Sequence, residues 1–72
     1  MLKLGRYQHY KGNFYEVMGE VTHSESEEKL VLYKPLYGEM NLWVRPLDMF
    51  VEELEFKGLH VKRFAYVGEG LE

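Results

Sequence analysis

The chain has 72 residues, of which 9 are basic and 12 acidic, so its formal net charge is -3, and 46% of its residues are hydrophobic. These values are typical of one small globular domain, which buries about 60% of its unfolded surface and has little room for a deep cleft. Because there is no cysteine, disulfides and thiolate chemistry are excluded. The sequence shows no export leader and no apolar run near the ~20 residues of a membrane helix, so we expect a cytoplasmic protein without a membrane partner.

The domain is expected to cover residues 1–70. No internal repeat, low-complexity tract or linker divides this range. Leu71 and Glu72 follow Gly68-Glu69-Gly70 and are typical of residues added by an expression vector. The fold prediction therefore concerns residues 1–70.

The first clear element is a strand that begins near Tyr15. Tyr15 and Val17 alternate with Glu16, the pattern of a half-buried strand, and Val21 is expected to share their face. Gly19 indicates a bulge or sharp bend within this strand.

Further strands follow at intervals of roughly ten residues. Residues 30–33 form a continuous apolar run that predicts a more central strand, bounded by Pro35. Alternating patterns predict strands at residues 42–45, 54–56 and 60–67. Hairpin-sized connections separate the strands at residues 11–13, 24–28, 37–41 and 57–58.

One helical turn is predicted near residues 46–50. Pro46 fixes a dihedral angle that suits the first helical position, and Asp48 favours an N-terminal turn. The alternative is a longer helix over residues 47–54, where apolar residues recur at near-helical spacing.

Five or six short strands and one helical turn predict an all-β fold, a small antiparallel SH3-like barrel or roll. Closure of such a barrel leaves few backbone groups unpaired. Small barrels use aromatic side chains to fill their cores. We expect Tyr15, Phe56 and Phe64 to be the core aromatics.

Short motifs occur in a fixed order along the chain: Tyr7-x-His9-Tyr10-Lys11-Gly12, Tyr15-Glu16-Val17, His23-Ser24-Glu25, Tyr37-Gly38-Glu39 and Trp43-Val44-Arg45-Pro46-x-x-Met49-Phe50. In this combination, over about residues 5 to 67, the chain resembles the bacterial family catalogued as domain of unknown function 1653. The resemblance implies a small stand-alone bacterial domain of the SH3-type barrel class with no established biochemical activity. It supports the fold and supplies no catalytic residue.

The polar residues do not form a pattern typical of an enzyme. Ser24 and Ser26 lie in an acidic loop, which offers neither the preorganised base nor the oxyanion site that a nucleophile needs. Glu53 and Glu55 share the water-exposed face of a strand, whereas general acid catalysis needs one desolvated carboxyl group. We therefore expect no catalytic residue and no enzymatic activity.

Metal and cofactor binding are not expected either. His9, His23 and His60 are far apart in the sequence, and His23 with Glu25 provides only two of the three or four ligands of a stable site. A barrel that brings His9 beside His23 is the alternative left open.

The most distinctive feature is the aromatic content, 15% of the chain. Trp43 and Arg45 have one strand parity and Leu42 and Val44 have the other. If Leu42 and Val44 face the core, then Trp43 and Arg45 face outward. Together with Tyr37 they would form a shallow aromatic and cationic site for peptides, methylated amines or unstacked bases.

Each of these residues also has a structural interpretation. Trp43 would then cover the open end of the barrel, and Arg45 would pair with Glu39. His9 and His23 are further candidates for the ligand-binding site. For His9, which lies in a short strand of unknown facing, the alternative is a buried ring that is hydrogen bonded to a backbone carbonyl.

The sequence thus predicts a non-enzymatic interaction or small-ligand-binding module, a monomer or weak homodimer whose partner is an unknown protein, peptide or small molecule. One alternative is a nucleic-acid-binding accessory domain, and another is a subunit that completes a site with a partner chain. The nucleic-acid alternative requires the terminal strands to bring together five basic residues, Lys3, Arg6, Lys11, Lys62 and Arg63. The isoelectric point of about 5.6 disfavours it.

Overall fold

The computed structural model describes residues 2–68, within which the chain forms seven strands and one short helix. In chain order these are β1 (Gly5–His9), β2 (Phe14–Thr22), β3 (Lys29–Pro35), β4 (Trp43–Pro46), α1 (Leu47–Phe50), β5 (Glu53–Phe56), β6 (Leu59–Lys62) and β7 (Phe64–Gly68). A five-stranded antiparallel sheet has the order β4-β3-β2-β1-β7, and β5 and β6 form a separate hairpin. The proposed vector residues, Leu71 and Glu72, lie outside the described residues.

The all-β prediction is confirmed, but the sheet does not close into a barrel. Within residues 2–68, β4 and β7 are the two edges of the larger sheet, and each pairs with a single neighbour. The chain between these two edges forms α1 and the β5–β6 hairpin rather than strands that would join them. In the same part of the chain, no helix has the length and apolar character needed to cross a membrane.

Arg63 divides the predicted last strand into two, which explains why there are seven strands rather than five or six. The Arg63 N–H donates to the Glu52 carbonyl at 2.9 Å, and its carbonyl accepts from the Tyr10 N–H at 3.0 Å. These bonds hold the backbone in a bend between β6 and β7. The chain therefore leaves the hairpin at this point and pairs with β1.

The bulge predicted at Gly19 is confirmed by a register shift between Val17 and Gly19. Val17 is buried, and beyond the bulge Glu20 lies opposite the buried Val31. Directly opposite residues share a face of the sheet. Glu20 is therefore on the same face as Val31, and Val21 is on the other face. The prediction that Val21 shares a face with Val17 is therefore wrong, since the extra residue of the bulge reverses the alternation.

The single helical turn is also confirmed, and it delivers one residue to the core. α1 follows Pro46, and the longer helix does not form because β5 begins at Glu53. Phe50, at the end of the turn, is 1% exposed, and its ring stacks on Phe64 with 4.1 Å between centroids.

The core lies on one face of the five-stranded sheet, which we call the inner face. Its buried side chains are Tyr7, Tyr15, Val17, Val31, Tyr33, Phe50 and Phe64. Large rings suit so small a domain, since each buries roughly 150–250 Å². Tyr15 and Phe64 were predicted here, whereas Phe56 is only half-buried, because its hairpin places it edge-on against Tyr10, with ring centroids 5.0 Å apart.

Candidate ligand-binding site

Strand β4 presents Trp43 and Arg45 on the inner face, the reverse of the predicted orientation. Trp43 lies opposite Tyr33 and Arg45 opposite Val31, and both partners are buried. Val44, by contrast, is 56% exposed. Trp43 and Arg45 do share a face, as predicted. The apolar character of Leu42 and Val44 did not identify the side that faces the core, because both faces of this short edge strand are partly open to solvent.

Exposed and buried rings meet around Tyr15. Its centroid lies 5.7 Å from that of Tyr33, 5.8 Å from that of Tyr37 and 6.3 Å from that of Trp43. Tyr15 and Tyr33 are buried, whereas Tyr37 and Trp43 are 43% and 42% exposed. The result is a surface of accessible rings on a rigid aromatic base. We call the following set the Trp43 site: His9, Tyr15, Tyr33, Tyr37, Trp43 and Arg45.

Two hydroxyl groups fix Tyr37 to this base. The hydroxyl oxygens of Tyr15 and Tyr37 are 3.1 Å apart and share a hydrogen bond. Burial, together with this hydrogen bond, raises the pKa of Tyr15 to about 12. Tyr15 therefore stays protonated at neutral pH and acts as a positioning group rather than a base.

Arg45 is held in place without a carboxylate. Its Nε–H donates to the Tyr33 hydroxyl at 3.1 Å, and its guanidinium carbon lies 5.6 Å from the centroid of the Phe64 ring. The alternative pairing with Glu39 is not among the ion pairs of the described residues. Glu39 accepts a hydrogen bond from the Asn41 side chain. Within residues 2–68 the ion pairs involve other cations, and Arg45 has no acidic partner.

His9 borders the site from β1. Its ring packs edge-to-face on Phe64 at 4.9 Å and lies 6.3 Å from Tyr15. Nδ1 accepts a hydrogen bond from the Lys11 N–H at 3.1 Å. The expected bond to a carbonyl is therefore absent from the described contacts of His9, because the tight turn after β1 directs a backbone donor toward the ring instead.

Neighbouring cations affect the protonation of His9. Burial lowers its pKa, and the charges of Arg63, Arg45 and Lys11 lower it further. His9 is therefore neutral at neutral pH, and because Nδ1 is an acceptor, Nε2 carries the proton.

His23 does not belong to the site. Tyr15 lies near the start of β2, whereas His23 follows its end. The His23 Nδ1 accepts from the backbone N–H groups of Glu25 and Ser26, at 3.1 and 3.3 Å, so its ring stabilises the loop between β2 and β3. His9 and His23 are thus kept apart, and the described residues contain no cluster of three or more potential metal ligands.

The five basic residues of the nucleic-acid alternative do not form one face, although β1 and β7 do pair as that alternative required. Lys3 and Lys62 line a groove of about 310 Å³. Arg63 donates to the Glu52 carboxylate at 3.1 Å. Arg6 lies opposite Glu16, with the parity of the outer face. Lys11, like Arg63, is close enough to His9 to lower its pKa. The five positive charges are therefore divided among the groove, the surroundings of His9 and the outer face.

Tyr15 and Tyr33 belong to the Trp43 site but were not among the binding residues predicted from the sequence. Both are buried, and a buried tyrosine has no sequence pattern that distinguishes a binding role from a core role. The register of β3 and β4, which places Tyr33 opposite Trp43, was the signal that could have identified them.

The described residues define a small all-β protein with an aromatic and cationic surface at one end of the inner face. Residues 5–66 match the family described as "Protein of unknown function (DUF1653)", and the chain belongs to this family. It is 33% identical to a DUF1653 protein from Bordetella bronchiseptica whose crystal structure is known. The match covers 94% of this chain and 90% of the other, with a TM-score of 0.88. No curated protein matches the chain.

Proposed function

We propose that this protein is a non-enzymatic ligand-binding module and that its ligand binds at the Trp43 site. The observation that carries the proposal is the 42% exposure of Trp43 and 43% exposure of Tyr37 on a base of buried tyrosines. Exposed apolar surface costs free energy. A concentration of exposed rings beside a cation is typical of recognition surfaces.

The rigidity of the site supports recognition. Tyr15 and Tyr37 share a hydrogen bond, and Arg45 is bonded to Tyr33. Side chains that are already fixed lose less conformational entropy when a ligand binds. The surface therefore suits a small molecule or a short peptide that places a flat or apolar group on Trp43.

The non-enzymatic part of the proposal is supported by the protonation states. Tyr15 retains its proton because of its raised pKa. The lowered pKa of His9 leaves the ring neutral, and its Nδ1 lone pair is occupied by the Lys11 N–H. Neither group is activated in the way that a nucleophile or its base requires.

The test is a chemical-shift perturbation screen of labelled protein against metabolites, short peptides and single-stranded oligonucleotides. The chain has one Trp, so its indole N–H resonance belongs to Trp43. We expect a ligand to shift this resonance and the backbone resonances of Tyr37 and Arg45. Ligands that shift only resonances of the groove lined by Lys3 and Lys62 would contradict the proposal.

Two adjacent substitutions provide a matched comparison. Trp43→Ala removes the ring on the inner face, whereas Val44→Ala removes an apolar side chain on the opposite face of the same strand. We expect the first to abolish binding and the second to leave the affinity within about twofold of wild type, since its neighbours do not face the ligand. Equal effects of both substitutions would contradict the assignment of the site.

A further inference from the structure

The Trp43 site is locally cationic in a chain whose net charge is -3. Arg45 is half-buried and has no acidic partner within residues 2–68. A half-buried cation without a counterion has lost part of its hydration and has gained no opposite charge. An anionic ligand would supply that charge.

We propose that the ligand of the Trp43 site is an anion that carries a flat ring, with the anionic group against Arg45 and the ring on Trp43. This inference rests on the proposed function and names the chemical class of its ligand. Both a carboxylate and a phosphate have the required chemistry, because a guanidinium can donate two parallel hydrogen bonds to either group.

The geometry of β4 places the two contacts side by side. Trp43 and Arg45 are two residues apart on the same face, so their Cα atoms are separated by about 7 Å. The Nε–H of Arg45 is engaged by Tyr33, and the Phe64 ring lies beneath the guanidinium. The terminal NH₂ groups of Arg45 make no hydrogen bond to another described residue and are available to a ligand.

A cationic ligand is the main competitor, because methylated ammonium groups also bind to aromatic rings. The surroundings of His9 argue against it. Burial is the largest cause of the lowered pKa of His9, and the nearby charges of Arg63, Arg45 and Lys11 lower it further. Arg63 is paired with Glu52, but Arg45 has no acidic partner among the described residues, so the positive charge beside the rings disfavours a cationic ligand and favours an anion.

The experiment compares ligands that share a ring and differ in charge. Phenylacetate is compared with phenylacetamide, and adenosine monophosphate with adenosine, so that the carboxylate and phosphate arms are tested separately. Phenyltrimethylammonium is the cationic probe. Binding is followed at the indole N–H of Trp43 and the Nε–H of Arg45. In at least one pair, we expect the anion to bind about 10-fold or more tightly than its neutral partner, as is typical of a charge-assisted hydrogen bond.

Charge variants test whether Arg45 causes this preference. Arg45→Gln should reduce the preference to less than about twofold, whereas Arg45→Lys, which keeps the charge, should retain part of it. Lys34→Gln is the matched control, because it also removes one positive charge. By strand alternation Lys34 belongs to the opposite face of the sheet, where it lies across from Glu16. We expect this control to keep the full preference. If Arg45→Gln does not fold, the ligand pairs on the wild-type protein still test the proposal.

Several outcomes would overturn the inference. Equal affinity for the anion and the neutral partner in both pairs, or tighter binding of phenyltrimethylammonium, would show that the site binds aromatic rings without a preference for negative charge. In that case the proposed function would survive, since Trp43 would still bind ligands. If Lys34→Gln loses as much of the preference for the anion as Arg45→Gln does, the preference comes from the net charge of the protein rather than from the site. Failure of the wider screen to perturb Trp43 at all would contradict the proposed function itself.

Discussion

The Trp43 ring contacts two buried tyrosines while 42% of the residue is exposed to solvent. Trp43→Ala should therefore cost only about 1–2 kcal/mol of folding free energy, less than the 3–5 kcal/mol typical of a fully buried aromatic. Phe50→Ala is the comparison, because Phe50 is 1% exposed. We expect it to unfold much of the domain, since small domains have total stabilities from about 5 kcal/mol upward.

Urea denaturation, followed by circular dichroism so that the lost tryptophan does not matter, measures both variants. A Trp43→Ala variant as unstable as Phe50→Ala would assign Trp43 a purely structural role. A stable Trp43→Ala variant that has lost its ligand would separate binding from folding.

We predict that His9 makes the stability depend on pH in the weakly acidic range. Burial and neighbouring cations hold its folded-state pKa below the ordinary value of 6.5, so the unfolded chain binds the proton more readily. The contribution of neutral His9 to the free energy of unfolding is fully present above pH 6.5. It is lost as the pH falls through the lower, folded-state pKa. We expect His9→Asn, which keeps an acceptor for the Lys11 N–H but does not titrate, to flatten this dependence.

Denaturation midpoints of the wild type and His9→Asn, taken between about pH 5 and pH 8, test this prediction, because most carboxylates remain ionised over that range. Parallel pH profiles for the two proteins would show that His9 does not contribute.

Two glycines with equal space around them allow the effect of backbone conformation to be isolated. A Cβ atom at Gly19 or at Gly58 would meet nothing within 4 Å. Gly58, with φ of +81°, forms a two-residue turn with Lys57, whereas Gly19 does not have a positive φ in the left-handed range. Gly58→Ala should therefore cost about 1 kcal/mol, and Gly19→Ala should be neutral or stabilising by up to about 1 kcal/mol.

Thermal or chemical denaturation of the two alanine variants distinguishes them directly. Equal destabilisation by both would show that the bulge needs glycine for a reason other than its φ.

At the level of elements, local patterns predicted the sheet well. Alternation located the strands, Pro46 marked the start of the helical turn, and Gly19 marked the bulge. The division at Arg63 was not predictable, because it depends on hydrogen bonds to Glu52 and Tyr10, which are distant in the sequence. The facing of Val21 was missed because a bulge reverses the parity without changing the apolar pattern.

The candidate site was predictable only in part. Tyr37, Trp43 and His9 do lie around Tyr15, and Arg45 is hydrogen bonded to the neighbouring Tyr33. The alternation of side chains along a strand correctly placed Trp43 and Arg45 on one face. Alternation alone does not show which of the two faces is turned toward the core. Only the register with β3 decides that.

For the molecule as a whole, charge predicts weak binding to nucleic acids. The net charge is -3, and the five basic residues of the alternative lie on different surfaces. Affinity for single-stranded DNA or RNA should be weak and should vanish by physiological salt, because few phosphates can be neutralised at once. A salt titration by fluorescence anisotropy measures this, and micromolar binding that persists at physiological salt would favour the accessory-domain alternative.

Because β7 pairs with β1, the larger sheet is completed by the part of the described chain that a ribosome makes last. Phe64, which lies beneath Arg45 and packs against His9, belongs to this strand. When β1 to β4 of a nascent chain have left the ribosome, Tyr15, Tyr37 and Trp43 are already present. The Phe64 ring, against which Arg45 packs, is still missing. If the proposed function is correct, Phe64 must be synthesised before the Trp43 site is complete. The long sequence separation between β1 and β7 is of the kind that slows folding.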